Sequence, residues 1–508
     1  MKINKYIVGF FYLFWLFFNC TIGLTISYNN HIVVTISYLL IMFIINIGIA
    51  YDLSLLVCAT FSKAVNIKRI DSMERFPKVA LLYLACDDAL HESLSILNNQ
   101  TYNNYSIFVL DDSRQSDNKT LIDGYSYQTI RRGHRRGAKA GNINNWLFIY
   151  GNQFEYFVVL DNGGMLEPTF IEKMLQYAEH PENSDTAIFQ SITKAWNTQR
   201  LFTRILDANF PFEKLLQLRV FNHCDSMFCW GHNILCRTKP FLKINGFDER
   251  FATEDIATNL RLIECGYNSK AVDIISYDLA SETVQFHATR LTRWARGNLE
   301  TAISKSWNLP FATKLRMLMG VYHFSRWPFY LIGMIIVIWG YKISWNQIYI
   351  SFFLLKQWNQ FYLILYPMIT ICFYIFYGTI ARPIWVKKLT GIPLKTYWIY
   401  GILYTSVCFF ALFPMAIGQI KSIFGSRAGF VIAEKRWFKT SLWGIITGMR
   451  WTVLASIFLA AGLLLNPVAC YIHFFWYVPL FCSPLILHFI QNIYSKRDES
   501  CFGENYEI

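Results

Sequence analysis

The chain has 508 residues, 54% of them hydrophobic and 18% aromatic against only 16% charged, a balance that argues against a wholly soluble protein. Its 47 Lys and Arg outnumber 34 Asp and Glu for a net charge of +13; the basic residues are dispersed among loops that flank apolar runs, which points to a membrane surface or an anionic substrate and away from nucleic acid. The twelve cysteines form no C-x-x-C pair and no His-spaced cluster, so neither a zinc site nor a disulfide framework is supported.

Tyr6 to Ile26 and Ile32 to Thr60 each supply the roughly 20 apolar residues that a spanning helix needs. The first exceeds the usual length of a signal peptide, has no small-residue cleavage site after it and is followed at once by a second span, so it reads as an anchor. Lys63, Lys68 and Arg69 follow the second span while Ser27 to Asn30 is uncharged, which puts the N-terminus and the next segment in the cytosol. From about residue 76 to 308 charges return, and short apolar runs alternate with helix-like stretches, as in an α/β sheet domain. Val79–Leu84, Tyr105–Leu110 and Tyr156–Leu160 have the composition of strands in a parallel sheet buried on both faces. Aspartates follow the second and third of these, and ligands of open α/β sheets bind at the carboxyl ends of strands, so Asp111, Asp112 and Asp161 are site candidates. Taken alone, Asp111-Asp112-Ser113 reads as an ordinary helix N-cap.

The stretch Arg131-Arg-Gly-His-Arg-Arg-Gly-Ala-Lys-Ala-Gly-Asn142 leads into a helical segment; backbone N–H groups at a helix start together with Lys139 would cradle a diphosphate, and the alternative is a solvated basic loop. Asp161-Asn-Gly-Gly164 closes the third strand, Phe251-Ala-Thr-Glu-Asp255 supplies an acidic pair before a helix, and Arg290-Leu-Thr-Arg-Trp294 with Gly297-Asn298 ends the domain. Further apolar runs follow at Met317–Tyr341, Phe361–Gly378, Leu442–Leu465 and Ala469–Ile493, giving six spans. Tyr397–Ile417 is also apolar, but basic residues on both flanks, among them Arg382, Lys387, Lys395, Lys421 and Arg427, place it in the cytosolic interface. Arg326 and Arg450 are intramembrane cations, either functional or snorkelling.

Taken in order, these motifs resemble the membrane-integrated processive family-2 glycosyltransferases of the cellulose and hyaluronan synthase type. The run Trp230-Gly-His-Asn233 with Arg290 to Trp294 and Gly297-Asn298 is most similar to the bacterial periplasmic-glucan glucosyltransferases. The resemblance implies a GT-A-like α/β domain (76–308) inserted between two N-terminal transmembrane helices (1–60) and a C-terminal channel region (309–494), with a cytosolic tail (495–508). It implies an inner-membrane enzyme with its catalytic domain in the cytosol. That enzyme would polymerise glucose from UDP-glucose into a capsular or periplasmic polysaccharide and move it across the bilayer. A single-addition transferase and a nucleotide-binding pseudoenzyme are the alternatives. Carried over by motif, Asp111 would hold the uracil and ribose side, Lys139 the diphosphate, and Asp161 the nucleotide and a Mg²⁺ or Mn²⁺ ion. Asp255 would be the general base, Trp294 would stack on the acceptor sugar beside Arg290, Arg293 and His232, and Phe430 to Lys435 would form a gating loop. Two positions depart from the pattern: Gly163 stands where the second aspartate of D-x-D is expected, and Arg290 stands for the Gln of Q-x-x-R-W.

Overall fold

The structure, a computed structural model, describes residues 2–23, 32–208, 210–224, 227–304, 309–340, 393–426, 437–465 and 467–494, with Ile384 and Lys387. In chain order the helices are α1 (Lys2–Gly23), α2 (Ile32–Phe61), α3 (His91–Ser95), α4 (Ser116–Asp123), α5 (Ala138–Tyr150), α6 (Phe170–Ala178), α7 (Leu201–Asp207), α8 (Phe210–Arg219), α9 (Thr238–Lys243), α10 (Glu254–Glu264), α11 (Val284–Ile303), α12 (Phe311–Gly340), α13 (Leu394–Ile423), α14 (Leu442–Gly448), α15 (Arg450–Leu465) and α16 (Pro467–Asn492). The strands are β1 (Val79–Ala85), β2 (Tyr105–Asp111), β3 (Gln128–Ile130), β4 (Tyr156–Asp161), β5 (Thr186–Ala195), β6 (Ile234–Arg237) and β7 (Asn268–Asp278).

Among the described residues the strands make one seven-stranded sheet in the order β3-β2-β1-β4-β6-β5-β7. Its β3-β2-β1-β4 half is parallel, and β6 runs antiparallel to both β4 and β5. The three runs expected as parallel strands are β1, β2 and β4, and each is apolar on both sides for the reason the sequence indicates. Leu81, Tyr83, Val109, Val158 and Leu160 face α6, against Phe170, Ile171 and Met174. The intervening residues Ala80, Leu82, Phe108, Phe157 and Val159 pack on α5, against Ile143, Trp146 and Leu147. Successive side chains of a strand point to opposite faces, so both faces must be apolar where helices cover both.

The antiparallel β6 has a consequence for function. Because it begins where β4 ends, with Val159 beside Ile234, the loop that precedes it, Trp230 to Asn233, lies at the carboxyl edge of the sheet next to Asp161. Gln190 of β5 pins that loop: its Oε1 accepts from Trp230 N at 2.8 Å and its Nε2 donates to the His232 carbonyl at 3.2 Å.

Among the described residues, two helices are long and apolar enough to cross a membrane, within Leu39–Phe61 and over Leu394–Ile423. The second is the segment that flanking charge places at the interface; it is one continuous helix of 30 residues, about 45 Å long at 1.5 Å per residue. Its C-terminal half packs on α11, with Gln419 Nε2 donating to the Ala295 carbonyl and Arg296 Nε to Ser422 Oγ. The expected single span Leu442–Leu465 is instead two helices, α14 and α15, meeting at 83°. Arg326 of α12 lies 3.9 Å from Asp52 of α2, an ion pair between helices where snorkelling was the alternative. The expected span Phe361–Gly378, the gate-like residues Phe430 and Lys435 and the tail from 495 lie outside the described residues.

Candidate active site

The carboxyl edge of the sheet opens onto a cavity of about 850 Å³ lined by Lys139, Asp161, His232, Asp255, Arg290, Arg293 and Trp294. Seven residues chosen from five separate stretches of sequence therefore converge on one space. The volume lies in the range of pockets that take small molecules and cofactors.

Asp161 terminates β4. Lys139, in the first turn of α5, reaches it with Nζ 2.8 Å from Asp161 Oδ1 and donates a second bond to the Gly231 carbonyl at 2.8 Å. Burial alone would lower the Lys139 pKa; Asp161, Glu254 and Asp255 outweigh that and hold it above the usual lysine value, so the ammonium is kept charged. Gly231 also lies against the acid pair. Its φ is +74°, and a Cβ there would stand 2.9 Å from Asp255 Cβ, so glycine is required both for the turn and for the approach.

Glu254 and Asp255 open α10, where the positive end of the helix favours negative charge. Asp255 Oδ1 accepts from the Ile256 N–H at 2.9 Å. Burial nevertheless raises both carboxyls: Glu254 is pushed up to about 7, by burial and then by the Asp255 charge, while Lys139 and Arg293 pull the other way. Asp255 is raised in the same direction, chiefly by burial.

On the far wall, α11 carries its motif on one face, because residues three to four apart share a side of a helix. Arg290 sits over the Trp294 ring, 4.9 Å from its centroid, and its Nη1 donates to Ser281 Oγ at 3.2 Å. Gly297 lets α11 approach the start of α10, since a Cβ there would meet Thr253 Cγ2 at 2.6 Å.

Residues 156–411 match the family described as glycosyl transferase family group 2. The chain belongs to that family. The match takes in Asp161, Asp255 and Arg290 to Trp294, whereas Asp111 and Lys139 precede it. Two relatives named glucans biosynthesis glucosyltransferase H are similar to the chain. That of Xylella fastidiosa (strain 9a5c) is 24% identical over 281 residues, 50% of this chain and 43% of that protein. That of Caulobacter vibrioides (strain NA1000 / CB15N) is 24% identical over 265 residues, 46% of this chain and 39% of that protein. The chain thus matches less than half the length of these curated relatives. Two solved structures align with the chain. The mannosyltransferase PcManGT from Pyrobaculum calidifontis, in complex with GDP-Man and Mn²⁺, has a TM-score of 0.49 at 12% identity, over 65% of this chain and 97% of that one. S. aureus TarS 1-349 in complex with UDP has a TM-score of 0.34 at 13% identity, over 71% and 95%.

Within this family-2 transferase, Asp111 is the residue whose position differs most from expectation. It is no N-cap, since α4 starts after Gln115. Its side chain is fully buried, with Oδ2 2.6 Å from Arg131 Nε and Oδ1 accepting from Ser113 N. The neighbouring Asp112 lines the cavity instead, held by Arg132 at 2.6 Å. Arg135 likewise pairs with Asp87 at 2.5 Å. The basic stretch is therefore largely taken up in ion pairs with carboxylates at the ends of β1 and β2, and Lys139 and Arg135 are its basic residues that line the cavity. Sequence reasoning also missed Asp278, His287 and Tyr404, which line the cavity. The signal for His287 was its place three residues before Arg290 on the same helical face.

The donor set around Asp161 does not fit the expected Mg²⁺ or Mn²⁺. The Asp161 carboxylate is engaged by Lys139. Asn162 turns away, its amide donating to the Asp88 carbonyl at 2.7 Å and its own carbonyl accepting from Tyr83 and Ser93. Gly163 has no side chain, and its carbonyl accepts from Trp196 Nε1 at 2.9 Å. A divalent cation at a phosphate site takes one or two protein carboxylates beside the phosphate oxygens; here the second is missing at Gly163 and the first, Asp161, is paired with Lys139, and among the described residues no group of three His, Cys, Asp or Glu is placed to hold a metal.

Proposed function

We propose that the chain is a membrane-embedded inverting glucosyltransferase that takes UDP-glucose, adds β-linked glucose to a growing glucan and passes the product outward through its helices. The observation that carries this reading is the shared cavity: a carboxylate for the acceptor, a fixed cation for a leaving diphosphate and an aromatic ring for a sugar all line it. The name of the two relatives, glucans biosynthesis glucosyltransferase H, supports glucose as the sugar.

Asp255, ionised, takes the proton of the acceptor hydroxyl. The acceptor oxygen bonds to the anomeric carbon as the bond from that carbon to the diphosphate oxygen breaks, its electron pair leaving with the diphosphate. Attack from the side opposite the leaving group inverts the carbon. Lys139 faces the charge that develops on the diphosphate, and Trp294, flanked by Arg293 and His232, stacks on the terminal acceptor sugar and orients its hydroxyl. Asp112 supplies the carboxylate on the ribose side, the part first expected of Asp111. The sheet domain sits on the cytosolic face, as the charges after α2 indicate, and the acceptor stays on Trp294 between additions, which makes transfer processive.

Asp255→Asn separates this chemistry from binding. Transfer should fall by about 10²- to 10⁴-fold, the usual worth of a general base, while UDP affinity is retained. Radiolabel incorporation read beside calorimetric UDP binding checks it, and full activity in this variant would remove Asp255 from the reaction.

A further inference from the structure

In the pattern that this family resemblance brings with it, two acidic side chains hold a divalent cation, and that cation offsets the charge of the leaving diphosphate. Here the second acid is Gly163; the Asn162 side-chain amide is turned to the Asp88 carbonyl, its main-chain carbonyl accepts from Tyr83 and Ser93, and the Gly163 carbonyl accepts from Trp196. We propose that this site binds its nucleoside diphosphate without a divalent cation, the Lys139 ammonium and the Arg290 guanidinium serving as the fixed counter-charge. The inference rests on the reading of the cavity as a nucleotide-sugar site.

Both cations are built in. Lys139 is anchored from two sides, at 2.8 Å to Asp161 Oδ1 and at 2.8 Å to the Gly231 carbonyl. Arg290 is fixed by Ser281 and by stacking over Trp294, so its charge reaches the cavity without the entropy cost of ordering a long side chain. Asp278 and Asp161 are the carboxylates whose charge Arg290 feels. On this account the two departures from the family pattern, Gly163 and Arg290, are parts of one arrangement.

The test is equilibrium binding of UDP and of uridine to the full chain in nanodiscs, in EDTA and in Mn²⁺, with Mn²⁺ followed by electron paramagnetic resonance. UDP should bind in EDTA within about threefold of its affinity in Mn²⁺, with no protein-bound Mn²⁺ in the complex. Lys139→Met and Arg290→Gln should each weaken UDP by about tenfold to a hundredfold, as expected for a lost charge-assisted hydrogen bond, and leave uridine unchanged. The wild-type arm decides the matter even where a variant fails to fold. Affinity that falls about tenfold or more in EDTA, with Mn²⁺ bound in the UDP complex, overturns the metal-free site and keeps the nucleotide reading. A folded chain that binds UDP in neither buffer overturns both.

Discussion

Glu254, buried, and Asp255, half-buried, are adjacent carboxyls at the start of α10, and their removal from solvent bears on the pH at which the proposed base can act. A general base must be ionised. Burial holds both groups protonated to higher pH than usual, Glu254 to about 7 and Asp255 in the same direction, so the base is lost on the acid side earlier than an exposed carboxylate would be. The acid limb of kcat/KM should therefore lie well above the ordinary carboxylate value of about 4, reporting the pair and not one residue. A pH profile of kcat/KM measures this, and a wild-type limb near 4 would contradict the account. At this scale the sequence was informative where chemistry dictates residue type: Lys139, Asp161, Asp255 and Trp294 all line one cavity. Of the candidates Asp111 and Asp112 only the second lines that cavity, because successive residues at a strand end point to opposite sides and nothing in Asp111-Asp112 says which one does.

Helices and strands carry these groups through contacts that single substitutions can break. Trp146 on α5 is fully buried, with Phe108, Phe154 and Phe157 rings around it at centroid distances of 5.7, 5.8 and 5.6 Å. Trp146→Ala should cost about 3–5 kcal/mol by loss of transfer energy and the cavity left behind, read as an early thermal transition of the sheet domain. Gly231→Ala should act differently. It costs about 1–2 kcal/mol for an L-residue in left-handed backbone, and its Cβ meets Asp255, so kcat should fall by more than stability does; a thermal melt beside steady-state kinetics separates the two. β1, β2 and β4 were legible because each is a continuous apolar run, and β2 and β4 end in Asp. The antiparallel β6 was not, being only the four residues Ile234–Arg237, too short for any period to declare itself. The same holds for the 83° bend between α14 and α15: hydropathy sums over a window and is blind to direction.

Across the whole molecule, the sheet domain meets the helices through α11, whose Arg290 and Trp294 line the cavity while its Arg296 and Ala295 hold α13. A helix shared in this way ties the cavity to α13, as the proposed extension of a chain across a bilayer would require. Composition made the membrane association legible. The path of every span was not, because charge counting fixes sides and not helix packing, as Leu394–Ile423 illustrates with its length suited to crossing and its flanks suited to the interface. The measurement that bears most directly on this account is transfer by the purified full chain in nanodiscs, offered UDP-glucose, UDP-galactose, UDP-GlcNAc and UDP-GlcA in turn, with the product sized. The account predicts a high-molecular-weight glucan from UDP-glucose alone. Short products, a different donor, or no turnover despite measurable UDP binding would contradict it.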